Sequence, residues 1–344
     1  MVSGKKKILV TGAGGYIGTD LIRELLINNF EVLAVDRFYF GLETVQEFYD
    51  NSSFHLVKKD TRSLSSEDFQ GVWAVVDLVS ISNDPSGEID KELTNSINNI
   101  GRVNTAKMAR ASGVERYVLS SSCSVYGDNQ DQDLKEESKA NPLTTYAKSA
   151  YEAELGVLGL STADFNVTVI RNATVFGLSN RMRFDLVINL MVWSAFENKK
   201  IVITGGGNQW RPLVHVNDVS LAILMILAAD TAKTKSEIFN IGSVNIQVKT
   251  LAYRVRERLP FRTDIELILD DPDKRNYNVN FNKASQMLGF TPQKSIEDGI
   301  DEIYSALVNG KVYKDEKSST LNWYQRLRET EKLYKDLNMN GQMF

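Results

Sequence analysis

The chain has 344 residues, 42% hydrophobic and 24% charged, a globular composition that excludes a largely disordered or fibrous protein. A formal charge of −4 leaves no overall positive field for nucleic acid or an anionic membrane surface, and a single cysteine, Cys123, excludes an internal disulfide. Two histidines, His55 and His215, offer no clustered zinc-ligand spacing, so no metal is expected.

In chain order, the apolar run after Lys5, Lys6 and Lys7 is too short for a signal peptide's hydrophobic region and reads as a first strand over Lys7 to Thr11. A glycine cluster follows it and opens a helix from Tyr16 to Asn28. The spacing is GxxGxxG at Gly12, Gly15 and Gly18, since Ile17 occupies the last place of the generic GxGxxG. Glycines there allow a tight turn and close approach of a pyrophosphate, which the helix N-terminus stabilises through its free N–H groups. Gly12, Gly15, Tyr16, Ile17 and Gly18 are therefore the expected phosphate-binding residues. A second strand, Glu31 to Asp36, ends on an acid at the distance where a carboxylate binds adenosine ribose hydroxyls. Asp36 argues for NAD, because a 2′-phosphate would meet its negative charge. Arg37 beside it is the one feature favouring NADP.

Further β-branched runs lie at Phe54 to Lys58, Val72 to Val79, Arg116 to Ser120 and Asn166 to Ile170. A helical stretch from Ile97 to Ala111, stopped by Ser112 and Gly113, falls among them. Strands alternating with helices predict an α/β fold, a Rossmann-type doubly wound parallel sheet. Beyond residue 180 the alternation loosens. A helix at Phe184 to Phe196, a strand at Lys200 to Thr204, a glycine turn at Gly205 to Gly207 and a helix at Val216 to Ala229 suggest a smaller C-terminal substrate-binding lobe. That last helix holds the longest apolar stretch, far below the roughly 20 residues that span a bilayer. A cytoplasmic enzyme with no membrane partner is expected. The expected division is 1–180 for the dinucleotide domain, 181–310 for the lobe with parts crossing back, and 311–344 for a helical extension. The charged and aromatic end of the chain, with Trp323, Tyr324 and Tyr334, reads as an amphipathic helix docked on the body.

The glycine loop, Asp60-Thr61-Arg62, Asn98 before Gly101, SSSCSVYG at 120–127, Tyr146, RNATVFG at 171–177, QWRPLVHVND at 209–218, FNIG at 239–242 and LGFTP at 288–292 occur in one order. This series resembles the extended short-chain dehydrogenase/reductase superfamily, in its NAD-dependent nucleotide-sugar epimerase/dehydratase branch, over most of the chain. The resemblance implies an NAD-binding Rossmann domain with a lobe for a nucleoside-diphosphate sugar, and a homodimer formed through helices beginning near Asn98 and Tyr146. It also implies that Ser122 hydrogen-bonds the reacting sugar hydroxyl and that Tyr146 takes or gives its proton. Asp60, Thr61 and Asn98 would serve the cofactor. Ser82, Asn83, Cys123, Ser124, Thr174, Asn189, Arg211 and Arg275 would serve the sugar nucleotide, the two arginines at its diphosphate. Arg181 and Arg183 are further lobe contacts, and His215 reads as a structural strand residue.

Three departures qualify that reading. The family's YxxxK runs here Tyr146-Ala147-Lys148-Ser149-Ala150, so Ala150 stands in the place of the lysine that contacts the nicotinamide ribose and lowers the tyrosine pKa. Lys148 is no substitute, since at 100° per residue the second position points about 200° away from Tyr146. An introduced substitution, a natural enzyme with another cation, and a protein without turnover are the three readings of Ala150. Second, Asp77-Leu78-Val79-Ser80 replaces the usual His-Leu-Ala-Ala, and is read as an acid solvated at the loop edge. Third, Cys123 and Ser124 stand where dehydratases of the branch carry Asp-Glu, and decarboxylases usually have a Glu there too. Elimination is thereby disfavoured. What remains is oxidation at a ring carbinol, most often C4, with return of the hydride, so an NAD-dependent epimerase is the expected activity. A 4-ketoreductase or dehydrogenase, or a binding protein without turnover, is the alternative.

Overall fold

The computed structural model describes residues 4–129, 133–270 and 276–339. The first half alternates as the sequence predicts: β1 Lys7–Thr11, α1 Tyr16–Ile27, β2 Glu31–Asp36, β3 Phe54–Lys58 and β4 Val72–Asp77. Two short helices follow, α2 Asp84–Gly87 and α3 Lys91–Asn95, before α4 Arg102–Ala111, β5 Arg116–Ser122, α5 Thr145–Leu158 and β6 Asn166–Asn172. A wide turn over Ser96–Gly101 joins α3 to α4, so the predicted helix from Ile97 is entered through a π-type bulge. The second half comprises β7 Thr174–Phe176, α6 Val187–Asn198, β8 Lys200–Thr204, β9 Trp210–His215, α7 Val216–Ala228, α8 Thr231–Thr234 and β10 Glu237–Ile241. It ends with β11 Val244–Gln247, α9 Val248–Arg258, β12 Asp264–Ile268, α10 Asn282–Leu288, α11 Ile296–Val308 and α12 Thr320–Leu337.

Seven strands form one parallel sheet in the order β10-β6-β5-β4-β1-β2-β3. The central strands β1, β4 and β6 are buried on both faces, β6 along its whole length, which is why they read as continuous apolar runs. One face is covered by α1, α7 and α10 through residues such as Leu21, Ile22, Leu25, Ile223 and Phe290. The other is covered by α4 and α5 through Ala106, Ala109, Ala153 and Val157. Each fully buried Leu or Ile contributes about 1.5–3 kcal/mol, so these two layers hold the sheet ends in place. A separate core joins α6, α9 and α11 to β7, β8 and β9, with Ile188, Val192, Leu213, Leu251 and Ile300 at its centre. The chain returns from this lobe to the main sheet at β10, which pairs with β6.

Several boundaries differ from the sequence reading: β5 and β6 each run two residues further than expected, to Ser122 and Asn172. β4 stops at Asp77 rather than Val79, because Leu78 N–H already turns back to Thr11. The helix expected from Phe184 begins at Val187, since Arg183 and Asp185 pair with each other and the Phe184 N–H donates to the Ser318 carbonyl. Among the described residues no helix is long and apolar enough to cross a membrane, and no cluster of His, Cys, Asp or Glu could hold a metal.

Candidate active site

In a doubly wound sheet, ligands bind beyond the carboxyl ends of the strands where the order reverses, here between β1 and β4. A single cavity of about 1300 Å³ opens there. It runs from Asp36 and Asp60, past Ser122, Tyr146 and Ala150, to Thr174, Gln209 and Arg211. That exceeds the usual 300–1,000 Å³ of a small-molecule site and has room for two ligands end to end.

The glycine loop fits a dinucleotide. Gly12 has φ +67°, and a Cβ there would lie 2.9 Å from the Leu78 carbonyl carbon. A Cβ on Gly18 would lie 2.3 Å from the Gly12 oxygen, so loop and helix touch through bare backbone. No side chain caps α1 at Gly15, which leaves its first N–H groups for an anion on the cavity wall. The Asp36 carboxylate is fixed by the N–H groups of Gly14 (3.0 Å) and Phe38 (2.7 Å). Burial raises its pKa while those two bonds lower it. Each oxygen keeps a lone pair for a ribose hydroxyl. Arg37 turns to Asp60 at 3.1 Å and lies 4.7 Å from the centre of the Tyr39 ring, so it is already engaged where a 2′-phosphate would need it. Arg62 also pairs with Asp60 at 2.7 Å and holds its carboxyl down to about 2. Thr61, in the turn that Asp60 caps, lines the cavity.

The catalytic pair expected from the resemblance comes together. Ser122 ends β5, where its Oγ accepts from the Ser124 N–H at 3.1 Å. Tyr146 lies in the first turn of α5, which Thr144 caps by accepting from the Ala147 N–H at 3.1 Å. A Cβ on Gly87 would lie 3.1 Å from Tyr146 Cβ, so α2 packs directly against the base of this side chain. Burial raises the Tyr146 pKa, and a hydrogen bond with Ser122 pulls it back. Asp84 raises it further, whereas Arg102 and Arg183 lower it. Ala150 is 3% exposed and lines the cavity on the same face as Tyr146, while Lys148 is exposed on the far side of the helix, as the angular argument requires.

Several unpartnered polar atoms sit on this wall: Ser86 Oγ, Ser124 Oγ, Asn172 Oδ1, Gln209 Oε1 and Arg181 Nε. Buried polar groups are normally hydrogen-bonded, so this concentration calls for a polar ligand. Ser82, Asn83 and Thr174 also line it, although Asn83 already caps α2 by accepting from the Ser86 N–H and donates to Asp185. Arg211, 8% exposed on β9, lines the far end and donates to the Trp210 carbonyl at 2.9 Å.

Four expected positions are corrected. Asn98 does not reach the cavity: fully buried, it bonds both the N–H and the carbonyl of Ile81 and so pins the loop after β4. Cys123 is turned inward, its thiol donating to the Arg171 carbonyl and pushed up in pKa by burial. Asn189 spends its amide on Gly177, Tyr16 and Arg183. Asp77 is not solvated: fully buried, it accepts from Thr11, Arg102 and Tyr117. Tyr16 lines the cavity, yet its hydroxyl donates to the Gly177 carbonyl at 2.6 Å and ties the glycine loop to the lobe. Arg275 lies outside the described residues.

Sequence reasoning missed Arg102, Tyr39, Phe40, Asp185 and the start of α12, all on the cavity wall. One signal was available for Arg102. The unusual Asp77 needed a buried partner, and an arginine just after Gly101 on the neighbouring helix supplies it with Nε–Oδ2 at 3.1 Å. His215 is buried and bound to Glu302 at 2.7 Å, a structural role.

Fold and site together define a Rossmann-type dinucleotide-binding centre whose cavity has room for a second ligand. The profile of the NAD dependent epimerase/dehydratase family matches residues 8–242, so the chain belongs to that family and NAD is its cofactor. A putative UDP-glucose 4-epimerase of Methanocaldococcus jannaschii is 28% identical over 88% of this chain and 98% of its own length. UDP-glucuronic acid decarboxylase 1 of Danio rerio is 24% identical over 87% of this chain and 72% of its own length. Among solved structures, the UDP-N-acetylglucosamine 4-epimerase of Methanobrevibacter ruminantium M1, in complex with UDP-N-acetylmuramic acid, has the same fold, with TM-score 0.81 at 19% identity over 89% of this chain and 99% of that one. The UDP-glucuronic acid 4-epimerase of Bacillus cereus, with UDP-glucuronic acid and NAD, gives TM-score 0.76 at 22% identity over 88% and 99%.

Proposed function

We propose that the chain is an NAD-dependent nucleotide-sugar epimerase acting at C4 through a transient keto sugar. The observation that carries this reading is that the Ser122–Tyr146 pair lines the same cavity as Asp36 and Arg211. When bound, NAD supplies a hydride acceptor that gives the hydride back. Asp36 and the α1 N-terminus orient the dinucleotide, and Ser122 hydrogen-bonds the sugar hydroxyl. Tyr146 takes the hydroxyl proton as the carbinol is oxidised and returns it when the ketone is reduced. Arg211 holds the diphosphate. Neither residue after Ser122 is an acid: Cys123 points inward and Ser124 offers only a hydroxyl, which supports hydride return rather than loss of water or carbon dioxide.

A second reading is binding without turnover. It is favoured by Ala150 and by the upward shift of Tyr146, whose nearest cations, Arg102 and Arg183, are each already paired with an acid. We also propose a homodimer through α4 and α5, supported by the exposed apolar side chains of Ile100, in the turn just before α4, and Leu155 on α5.

Incubation with NAD and a panel of UDP-sugars, including UDP-glucose and UDP-glucuronic acid, tests the activity. A mixture of C4 epimers without net NADH is expected. Stoichiometric NADH would assign a dehydrogenase, and a pentose product a decarboxylase. Calorimetry with both dinucleotides should show NAD bound at least about tenfold tighter than NADP, or about 1.4 kcal/mol.

A further inference from the structure

The last helix, α12, lies outside the segment that defines the family, which ends at residue 242. Its inner face carries Leu321, Tyr324 and Leu327, each three residues from the next and half-buried, and all three line the cavity. The Tyr324 ring lies 5.7 Å from Phe40 and edge-on to Tyr39 at 6.5 Å, immediately after the Asp36 strand end. The helix is tied to both sides of the cleft. Trp323 Nε1 donates to the Tyr39 carbonyl at 2.8 Å on one side, and Arg328 pairs with Asp90 on the other. At its start, Arg181 donates to Thr320 Oγ1 at 2.9 Å. Arg181 itself is 5% exposed, lines the cavity over the Phe40 ring at 3.7 Å, and has no partner for its Nε. Burial and the neighbouring Arg183 depress its pKa to about 9, the condition of a buried cation short of an anion. An apolar helix face over empty space, with an incompletely satisfied arginine beside it, matches a ligand that is part aromatic and part phosphate.

We propose that α12 is the outer wall of the dinucleotide site: Leu321, Tyr324 and Leu327 cover the adenosine half of NAD, Arg181 meets its pyrophosphate, and release requires the helix to leave Tyr39 and Asp90. This rests on the cofactor assignment and deepens it. The tethers are exposed contacts of the kind that break readily, so the wall can open for exchange rather than sealing the site. A retained dinucleotide suits a reaction that returns its hydride within one turnover.

The test is exchange of bound radiolabelled NAD against excess unlabelled NAD, read by filter retention. Two variants are compared with the parent: Tyr324→Ala with Leu327→Ala together, which strips the inner face, and Arg328→Ala, which cuts one exposed tether. Both are expected to speed release at least about fivefold, whereas Lys335→Ala near the helix end leaves it unchanged. Far-UV circular dichroism and thermal unfolding without NAD establish that each variant is folded, and Arg328→Ala decides if the double variant is not. Unchanged release in folded variants overturns the wall. A parent chain that binds NAD in calorimetry yet retains no label overturns the wall alone, and one that binds NAD in neither measurement overturns the cofactor assignment and the wall with it.

Discussion

In the proposed mechanism turnover depends on Tyr146, and its surroundings work against it. A free tyrosine, with pKa about 10, is phenolate in only about one molecule in a thousand at pH 7. Burial lowers that fraction here. Turnover should therefore be slow at neutral pH and rise with pH through 9. Ala150→Lys places an ammonium one helical turn from Tyr146, on the cavity side of α5. It is expected to raise turnover at pH 7 at least about tenfold, and Tyr146→Phe in that background to abolish the gain, measured by product-sugar analysis. A parent already fast and insensitive to pH would mean that Arg102 or Arg183 supplies the charge. The spacing that puts Ala150 in the lysine's place, and Lys148 on the opposite face, was legible in the sequence because it depends only on helical pitch. Arg102 was legible only indirectly, because its value comes from Asp77, 25 positions earlier, being buried beside it.

At the scale of elements, the site depends on two rigid junctions. The first is the contact of the β1–α1 loop with its own helix. Gly18→Ala puts a methyl 2.3 Å from the Gly12 oxygen and 2.7 Å from that of Ala13, both backbone atoms, so the loop must move. A loss of NAD affinity of at least about tenfold is expected by calorimetry, with a stability loss of about 1–3 kcal/mol in urea titration. Affinity equal to the parent's would show that the cradle tolerates displacement. The second junction anchors α5. Glu154, two turns beyond Tyr146, pairs with Arg171 of β6 at 2.7 Å, and Arg171 also donates to Tyr126 and the Glu136 carbonyl. Both partners are buried, so this contact fixes the helix that carries the base. Removing one partner of such a pair typically costs about 3–5 kcal/mol, so Arg171→Met should sharply lower the urea midpoint. The sequence showed RNATVFG only as a family segment. That its arginine positions Tyr146 rather than touching ligand emerges from the packing of α5 on β5 and β6.

Across the whole molecule, dinucleotide sheet, lobe and C-terminal helix meet around one cavity, and charge pairs between them set its response to acid. Asp185 sits at that meeting point, accepting from Asn83, Arg183 and Thr320. Against the upward push of burial, Arg183 holds its carboxyl down to about 2, below the ordinary 3.8. The unfolded chain then binds the proton more readily, so this group stabilises the fold above about pH 4, and its contribution is lost as pH falls through 2. Comparison of the parent with Asp185→Asn should give a difference of about 2 kcal/mol at pH 7 that shrinks below pH 4, read from denaturant titrations at each pH. A difference constant down to pH 2 would mean that the pair contributes only through shape. The succession of strands and helices, the glycine cradle and Asp36 could be read from the sequence, because each depends on local periodicity or on residues close in the chain, and the Ser122–Tyr146 pair was expected only from the family resemblance. Only the tertiary structure decided that Asn98, Cys123 and Asn189 bond inward, that Asp77 and Arg102 form a buried pair, and that α12 lines the cavity beside Tyr39 and Phe40. These depend on which distant segments pack together, and one polar side chain can point to ligand or to backbone with the same sequence pattern.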